Sequence, residues 1–115
     1  MKIDIELLKE FLDADDEFIV ELIDKFEEEA AKLIDKITAK AEEKDWQSVK
    51  QAAHKMISST AVFQLDKMTE VLKEIELEAN SVVKEESIGA KVEQLTDYYL
   101  LTKIALNSAK QELIK

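Results

Sequence analysis

The stretch AAHKMISST, Ala52 to Thr60, carries the one histidine of a 115-residue chain that contains neither cysteine nor proline. An imidazole can bind a metal, shuttle a proton or act as a nucleophile, and its neighbours decide which. Metal-binding helical bundles draw several ligands together, commonly through Glu-x-x-His pairs on two helices. His54 has Gln51 three residues before it and no second histidine to join it, so no metal site is predicted. A carboxylate-only Ca²⁺ or Mg²⁺ site is the remaining metal option, and no EF-hand loop pattern is present. Serine hydrolysis needs a nucleophile on a strained turn and a preorganised oxyanion hole. A chain with one glycine is poorly equipped to build either, and Ser58 and Ser59 read as polar helix residues. The absence of cysteine removes disulfides, thiolate zinc sites, iron–sulfur clusters and cysteine nucleophiles together.

The elements that must position the histidine are helices. Charged residues make up 37% of the chain, Ala, Leu, Glu and Lys dominate it, and no proline interrupts it; these side chains lose little freedom in a helix. Ile5, Leu8, Phe11 and Leu12 predict a short amphipathic helix, and the acidic run Asp13 to Glu17 predicts the capped start of a long one. The long helix carries Ile19, Ile23, Phe26, Ala30, Leu33, Ile37 and Ala41 on one stripe. Lys44-Asp45 predicts a tight connection with Asp45 as the next N-cap, and Trp46, Val49, Ala53, Met56 and Thr60 form the following inner stripe. Leu65, Met68, Leu72, Ile75 and Ala79 give a further helix from about Asp66, ending between Asn80 and Glu86. Ser87-Ile88-Gly89 predicts the break before a last helix, which places Ile88, Val92, Leu95, Tyr99, Leu106, Ala109 and Leu113 inward. The expected fold is all-α: an antiparallel up-down four-helix bundle with a short extra N-terminal helix, forming one domain over residues 1–115. Tyr98, Tyr99, Leu100 and Leu101 fall outside a single stripe and are expected to make extra core contacts first and a dimer face second, so the chain is expected to be a monomer.

On this geometry His54 lies roughly 130° from the core direction of its own helix, at about 100° per residue. It therefore faces solvent, with Lys50, Gln51 and Ser58 at i−4, i−3 and i+4 and Ile57 at i+3. Charge sharpens the reading. The chain carries a net charge of −10, yet the twenty residues from Trp46 to Leu65 hold no Asp or Glu, and Lys50 and Lys55 are their only formal charges. An acid-free, mildly basic surface around an exposed imidazole suits a group that is to carry a phosphoryl, which adds about −1.5 to −2 charge. The plain alternative is an ordinary solvated helix face with a chance gap in its acids. The acidic balance argues against nucleic acid or an anionic membrane as partner. No apolar run approaches the ~20 residues of a membrane span and the N-terminus lacks signal-peptide form, so a soluble cytoplasmic protein without membrane insertion is expected.

Asp45-Trp46, Val49, Ala53-His54-Lys55-Met56 and Ser58-Ser59, followed by Leu72 and Ile75-Glu76, resemble the histidine-containing phosphotransfer (HPt) domains of bacterial phosphorelays, whose pattern runs D-W-…-A-H-x-L-K-G-S-S and later L-x-x-x-I/L-E. Phe18, after the acidic start, is similar to the D-x-x-F opening of their first long helix. The resemblance covers nearly the whole chain in helix order and length. It implies that His54 is a phosphoacceptor, taking a phosphoryl group from the aspartyl phosphate of a receiver domain and passing it on. Lys50, Gln51, Lys55, Ile57 and Ser58 would shape the acceptor surface, with Ile57, Met56 and Ala61 offering the receiver an apolar contact. The implied partners are a response-regulator receiver domain or a hybrid sensor histidine kinase. The domain would need no cofactor or metal of its own, because Mg²⁺ and most stabilisation of transition-state charge come from the receiver.

Three departures from the family pattern stand out. Ile57 occupies a position that usually holds Lys or Arg, Ser58 one that usually holds glycine, and Gln64 one where a glycine often ends the helix. The first two keep a second expectation open: a degenerate relative that docks a receiver or kinase without transferring phosphate.

Overall fold

The computed structural model describes residues 3–80 and 85–114, leaving aside the side chains of residues 85–87, and is all-helical over them. Five helices follow in order: α1 (Ile5–Leu12), α2 (Asp16–Glu42), α3 (Trp46–Val62), α4 (Asp66–Ala79) and α5 (Glu85–Leu113). No helix among the described residues is long and apolar enough to cross a membrane.

Local chemistry sets the boundaries. Asp4, Asp15 and Asp45 each accept a hydrogen bond from the backbone N–H three residues on, at 3.0, 2.9 and 3.2 Å, and so cap α1, α2 and α3. Such caps satisfy donors that the first helical turn leaves unpaired. The connections after α1, α2 and α3 each turn on a left-handed residue, Asp13 (φ 51°), Lys44 (φ 61°) and Gln64 (φ 55°). A side chain crowds the backbone in that region, so each turn holds some local strain.

The four long helices pack as a ring of neighbours: α2 on α3, α3 on α4, α4 on α5, and α5 back on α2. Ile19, Ile23 and Ile37 of α2, Val49 and Met56 of α3, Met68, Leu72 and Ile75 of α4, and Ile88, Leu95 and Leu106 of α5 are wholly buried between them. Phe26 meets Phe63 with ring centroids 5.1 Å apart, locking the end of α3 against α2. Two threonines complete the core in polar fashion. Thr60 shares a 2.8 Å hydroxyl contact with Thr69 across α3 and α4, and Thr102 donates to the Met68 sulfur at 3.4 Å. Thr102 fills the gap that the apolar pattern leaves between Tyr99 and Leu106. The Tyr99 hydroxyl donates to the Glu27 carbonyl at 3.2 Å, and burial followed by the nearby Glu27 charge raises its pKa.

Several expectations need correction. In α2 it is Ile34 that is buried and Leu33 that is half-covered, because the stripe steps four then three residues from Ala30 to Ile37; Ala41 is half-buried too. Phe11 points outward, 62% exposed. Ser87-Ile88-Gly89 is no break, since α5 starts at Glu85 and runs through Gly89. A helical glycine costs only about 1 kcal/mol relative to alanine, which neighbouring turns readily absorb. α4 ends at Ala79 with Asn80 as its C-cap, at the near edge of the expected range from Asn80 to Glu86, of which residues 81–84 lie outside the described residues. Leu100 and Leu101 make no core contact of the kind expected: each is 54% exposed, while Tyr99 is buried and Tyr98 half-buried.

Candidate functional site

His54 sits at the middle of α3, two turns from either end. The buried side of that helix is formed by Val49, Ala52, Ala53, Met56 and Thr60, which turns His54 outward, its side chain 75% exposed. The cap that starts the helix is doubly anchored, since the Ser48 hydroxyl also donates to Asp45 at 2.7 Å. These bonds to Ser48, and then the charges of Lys40 and Lys36, hold the Asp45 carboxyl below its ordinary range. The helix carrying the imidazole is thus fixed at one end by Asp45 and at the other by Phe63 and the Thr60–Thr69 pair.

The imidazole is not alone. Glu76, on α4, places Oε1 2.9 Å from His54 Nδ1. A contact of that length between a ring nitrogen and a carboxylate requires a proton between them. The ring supplies it, so Nδ1–H donates to Glu76 and the Nε2 lone pair is left available. The Glu76 side chain is 25% exposed, far more covered than the ring it holds, and α4 fixes where it points. A carboxylate so placed sets the tautomer and orientation of an imidazole.

Around His54 the structure sorts the expected surface residues. On the helix cylinder Lys50, Ser58, Gln51 and Ile57 fall within about 60° of it, whereas Lys55 is about 100° round. Gln51, Lys55 and Ser58 are exposed and Lys50 is half-covered. Ile57 is half-buried and packs against the core, leaving only part of its surface to a partner. Met56 cannot offer a receiver an apolar contact, being wholly buried; Ala61 is exposed. The acid-free surface expected around His54 also needs correction, for it holds along α3 but not in space. Glu76 lies outside the stretch from Trp46 to Leu65, and its approach to the ring is a tertiary contact between residues 22 positions apart. The one sequence signal for it was its place after Leu72 and Ile75 in the resembled pattern.

Among the described residues no three His, Asp or Glu side chains converge as a metal ion would need. What the site offers is one exposed imidazole, held through Nδ1, on an open helical face. The family model of the Hpt domain matches residues 21–109, well over half of the chain and including both His54 and Glu76. The chain belongs to the Hpt domain family. Hpt domains serve histidine phosphotransfer in phosphorelays, where they interact with receiver domains and kinases. No curated protein and no solved structure matches this chain significantly. The matched span covers α2 from Glu21 through most of α5, and leaves α1 outside it.

Proposed function

We propose that this Hpt domain carries a phosphoryl group on Nε2 of His54, received from the aspartyl phosphate of a receiver domain and returned to another. The observation that carries the reading is the His54–Glu76 contact: an exposed imidazole whose other nitrogen is held by a carboxylate. In the transfer, the Nε2 lone pair forms the new N–P bond as the P–O bond to the receiver's aspartate breaks and its carboxylate departs. Nδ1 keeps its proton throughout. The ring therefore gains a formal positive charge, which Glu76 opposes at 2.9 Å, and no base is needed to remove a proton. Residues 1–115 read as one domain, and the ring of contacts among α2, α3, α4 and α5 supports an antiparallel up-down four-helix bundle.

Lys50, Gln51, Lys55, Ser58 and the open part of Ile57 form the surface a receiver would meet. Lysines there favour the incoming charge, each by about 0.2–1 kcal/mol at such exposure. The second reading, docking without transfer, draws on Ile57, an aliphatic side chain where the resembled pattern has a cation next to the phosphoryl. One experiment separates the two. Receiver domains from the same genome, charged with acetyl phosphate, are incubated with the protein, and acid-labile label is followed on wild type and on His54→Gln. Label on wild type alone supports transfer; partner binding without label on either protein supports docking.

A further inference from the structure

Among the described residues no helix packs on the outer face of α5. Glu93, Asp97, Leu100, Ile104, Asn107 and Gln111 are all exposed and lie along one line of the helix at spacings of 4, 3, 4, 3 and 4, with the apolar pair Leu100 and Ile104 at its centre and polar residues at both ends. Leu100 is 54% and Ile104 67% exposed at its centre, and Leu101 beside them is 54% exposed. Leu101 and Ile104 continue into a shallow cleft of about 240 Å³ shared with Ile3 and Ala105. Large aliphatic residues clustered within about one turn, on a helix otherwise well packed, mark a contact surface more than scattered exposure.

Two observations name the occupant. The first is charge. In a chain of net charge −10, the fourteen residues from Tyr98 to Gln111 contain no Asp or Glu. Two copies of so acidic a protein repel over most of their surface, and an acid-free stretch lowers the cost of approach; the other such stretch, Trp46 to Leu65, has Glu76 set against it at His54. The second is self-complementarity. With two α5 helices antiparallel about an axis at Thr102, Leu100 of each faces Ile104 of the other. Asp97 then faces Asn107 and Glu93 faces Gln111, so each seam carboxylate meets a side-chain amide. A parallel pairing would instead set Asp97 against Asp97 and Glu93 against Glu93. We infer that the chain forms an isologous homodimer through the outer face of α5, in antiparallel register centred on Thr102.

The seam from Glu93 to Gln111 is about 27 Å long at 1.5 Å per residue. Such a contact falls at the small end of specific interfaces, near or below ~1,200 Å² in total, so association depends on concentration. Because α5 packs on α2 and α4, its outer face is turned away from α3, and the dimer leaves both His54 surfaces open.

Light scattering after size exclusion, from low micromolar to near-millimolar protein, tests the inference. Wild type is expected to rise toward twice the monomer mass, and Ile104→Glu to remain monomeric with its thermal unfolding unchanged, since Ile104 is exposed. The register is tested by single cysteines in this cysteine-free chain. Leu101→Cys, near the axis, is expected to cross-link with a short bismaleimide, and Asn107→Cys, about 15 Å from its mate along the helix, is not. A wild type that stays monomeric throughout overturns the inference, and if Ile104→Glu then loses receiver or kinase binding the face belongs to that partner. A dimer that survives Ile104→Glu, or equal cross-linking of the two cysteine variants, overturns it as well.

Discussion

Glu76 Oε1 lies 2.9 Å from His54 Nδ1, joining α4 to α3 across 22 residues of sequence. On the proposed function the exposed residue of the pair carries the phosphoryl group and the covered one orients it: the His54 side chain is 75% exposed and Glu76 25%. An exposed imidazole without such a partner would exchange tautomers and rotate freely, so that only part of the population would offer Nε2 to an incoming phosphoryl. In the proposed transfer, holding Nδ1–H against a carboxylate spares that reorganisation and sets a negative charge where the ring becomes positive.

Glu76→Gln keeps the side-chain length and a hydrogen-bond acceptor but removes the charge. Transfer from a charged receiver to His54 is expected to slow by about tenfold, a loss of ~1.4 kcal/mol, within the range for a hydrogen bond to a charged group and discounted for solvent around the ring. Rapid-quench measurement of label on His54 checks this. Receiver affinity should change little, since Glu76 is mostly covered; a variant that transfers at the wild-type rate would remove Glu76 from the mechanism.

Ile57→Lys restores a cation one helical turn beyond His54, on a side chain that is already half-exposed. A lysine can lay its aliphatic stem where Ile57 now packs and send its ammonium to the surface. Encounter with an acidic receiver and retention of phosphate are both expected to improve, by about two- to fivefold in transfer rate at low salt, with the gain shrinking as salt rises. Transfer rates at two ionic strengths decide it, and a gain that ignores salt would point to packing rather than charge.

Helix existence and phase were legible because apolar periodicity is local: Ile19, Ile23, Phe26, Met68, Leu72 and Leu95 are all inside as their spacing requires. The same logic put His54 outside. It failed where the decisive partner is distant or where burial is not apolar. Thr102 is buried without belonging to any hydrophobic pattern. Leu33 and Ile34, adjacent and both aliphatic, offer two phases for one stripe, and only packing against the neighbouring helices selects Ile34. Glycine usually marks a break, yet Gly89, at this exposed position, is simply helical. The acid-free surface failed most instructively. Counting charges along α3 says nothing of α4, and Glu76 arrives from there.

Gln64 offers a test of stability independent of function. Its φ of 55° lies in the left-handed region, where a Cβ costs roughly 1–2 kcal/mol, partly offset by the chain entropy that glycine loses on folding. Gln64→Gly is expected to stabilise the protein by about 0.5–1 kcal/mol and to raise Tm by roughly 2–6 °C for a domain of this size. Its side chain is exposed, so no packing is lost. Thermal melts followed by circular dichroism check the sign, and a lower Tm would mean that Gln64 makes a compensating contact.

Asp45 links the helix carrying His54 to pH. Its carboxyl is held below the ordinary carboxylate range by the Ser48 hydroxyl and backbone N–H, and then by Lys40 and Lys36. A group whose folded-state pKa is depressed contributes stability that is complete above its unfolded value and is lost as pH falls through the folded one. The Asp45 contribution is therefore intact at neutral pH and disappears only in the acid range, at and below that of ordinary carboxylates. Asp45→Asn retains a capping oxygen without the charge. Its stability relative to wild type is expected to be lower at neutral pH and to converge with wild type in acid. Urea midpoints measured at pH values on either side of that range test the linkage, and a difference that stayed constant with pH would show that capping geometry, not the ionised carboxylate, is what Asp45 contributes to α3.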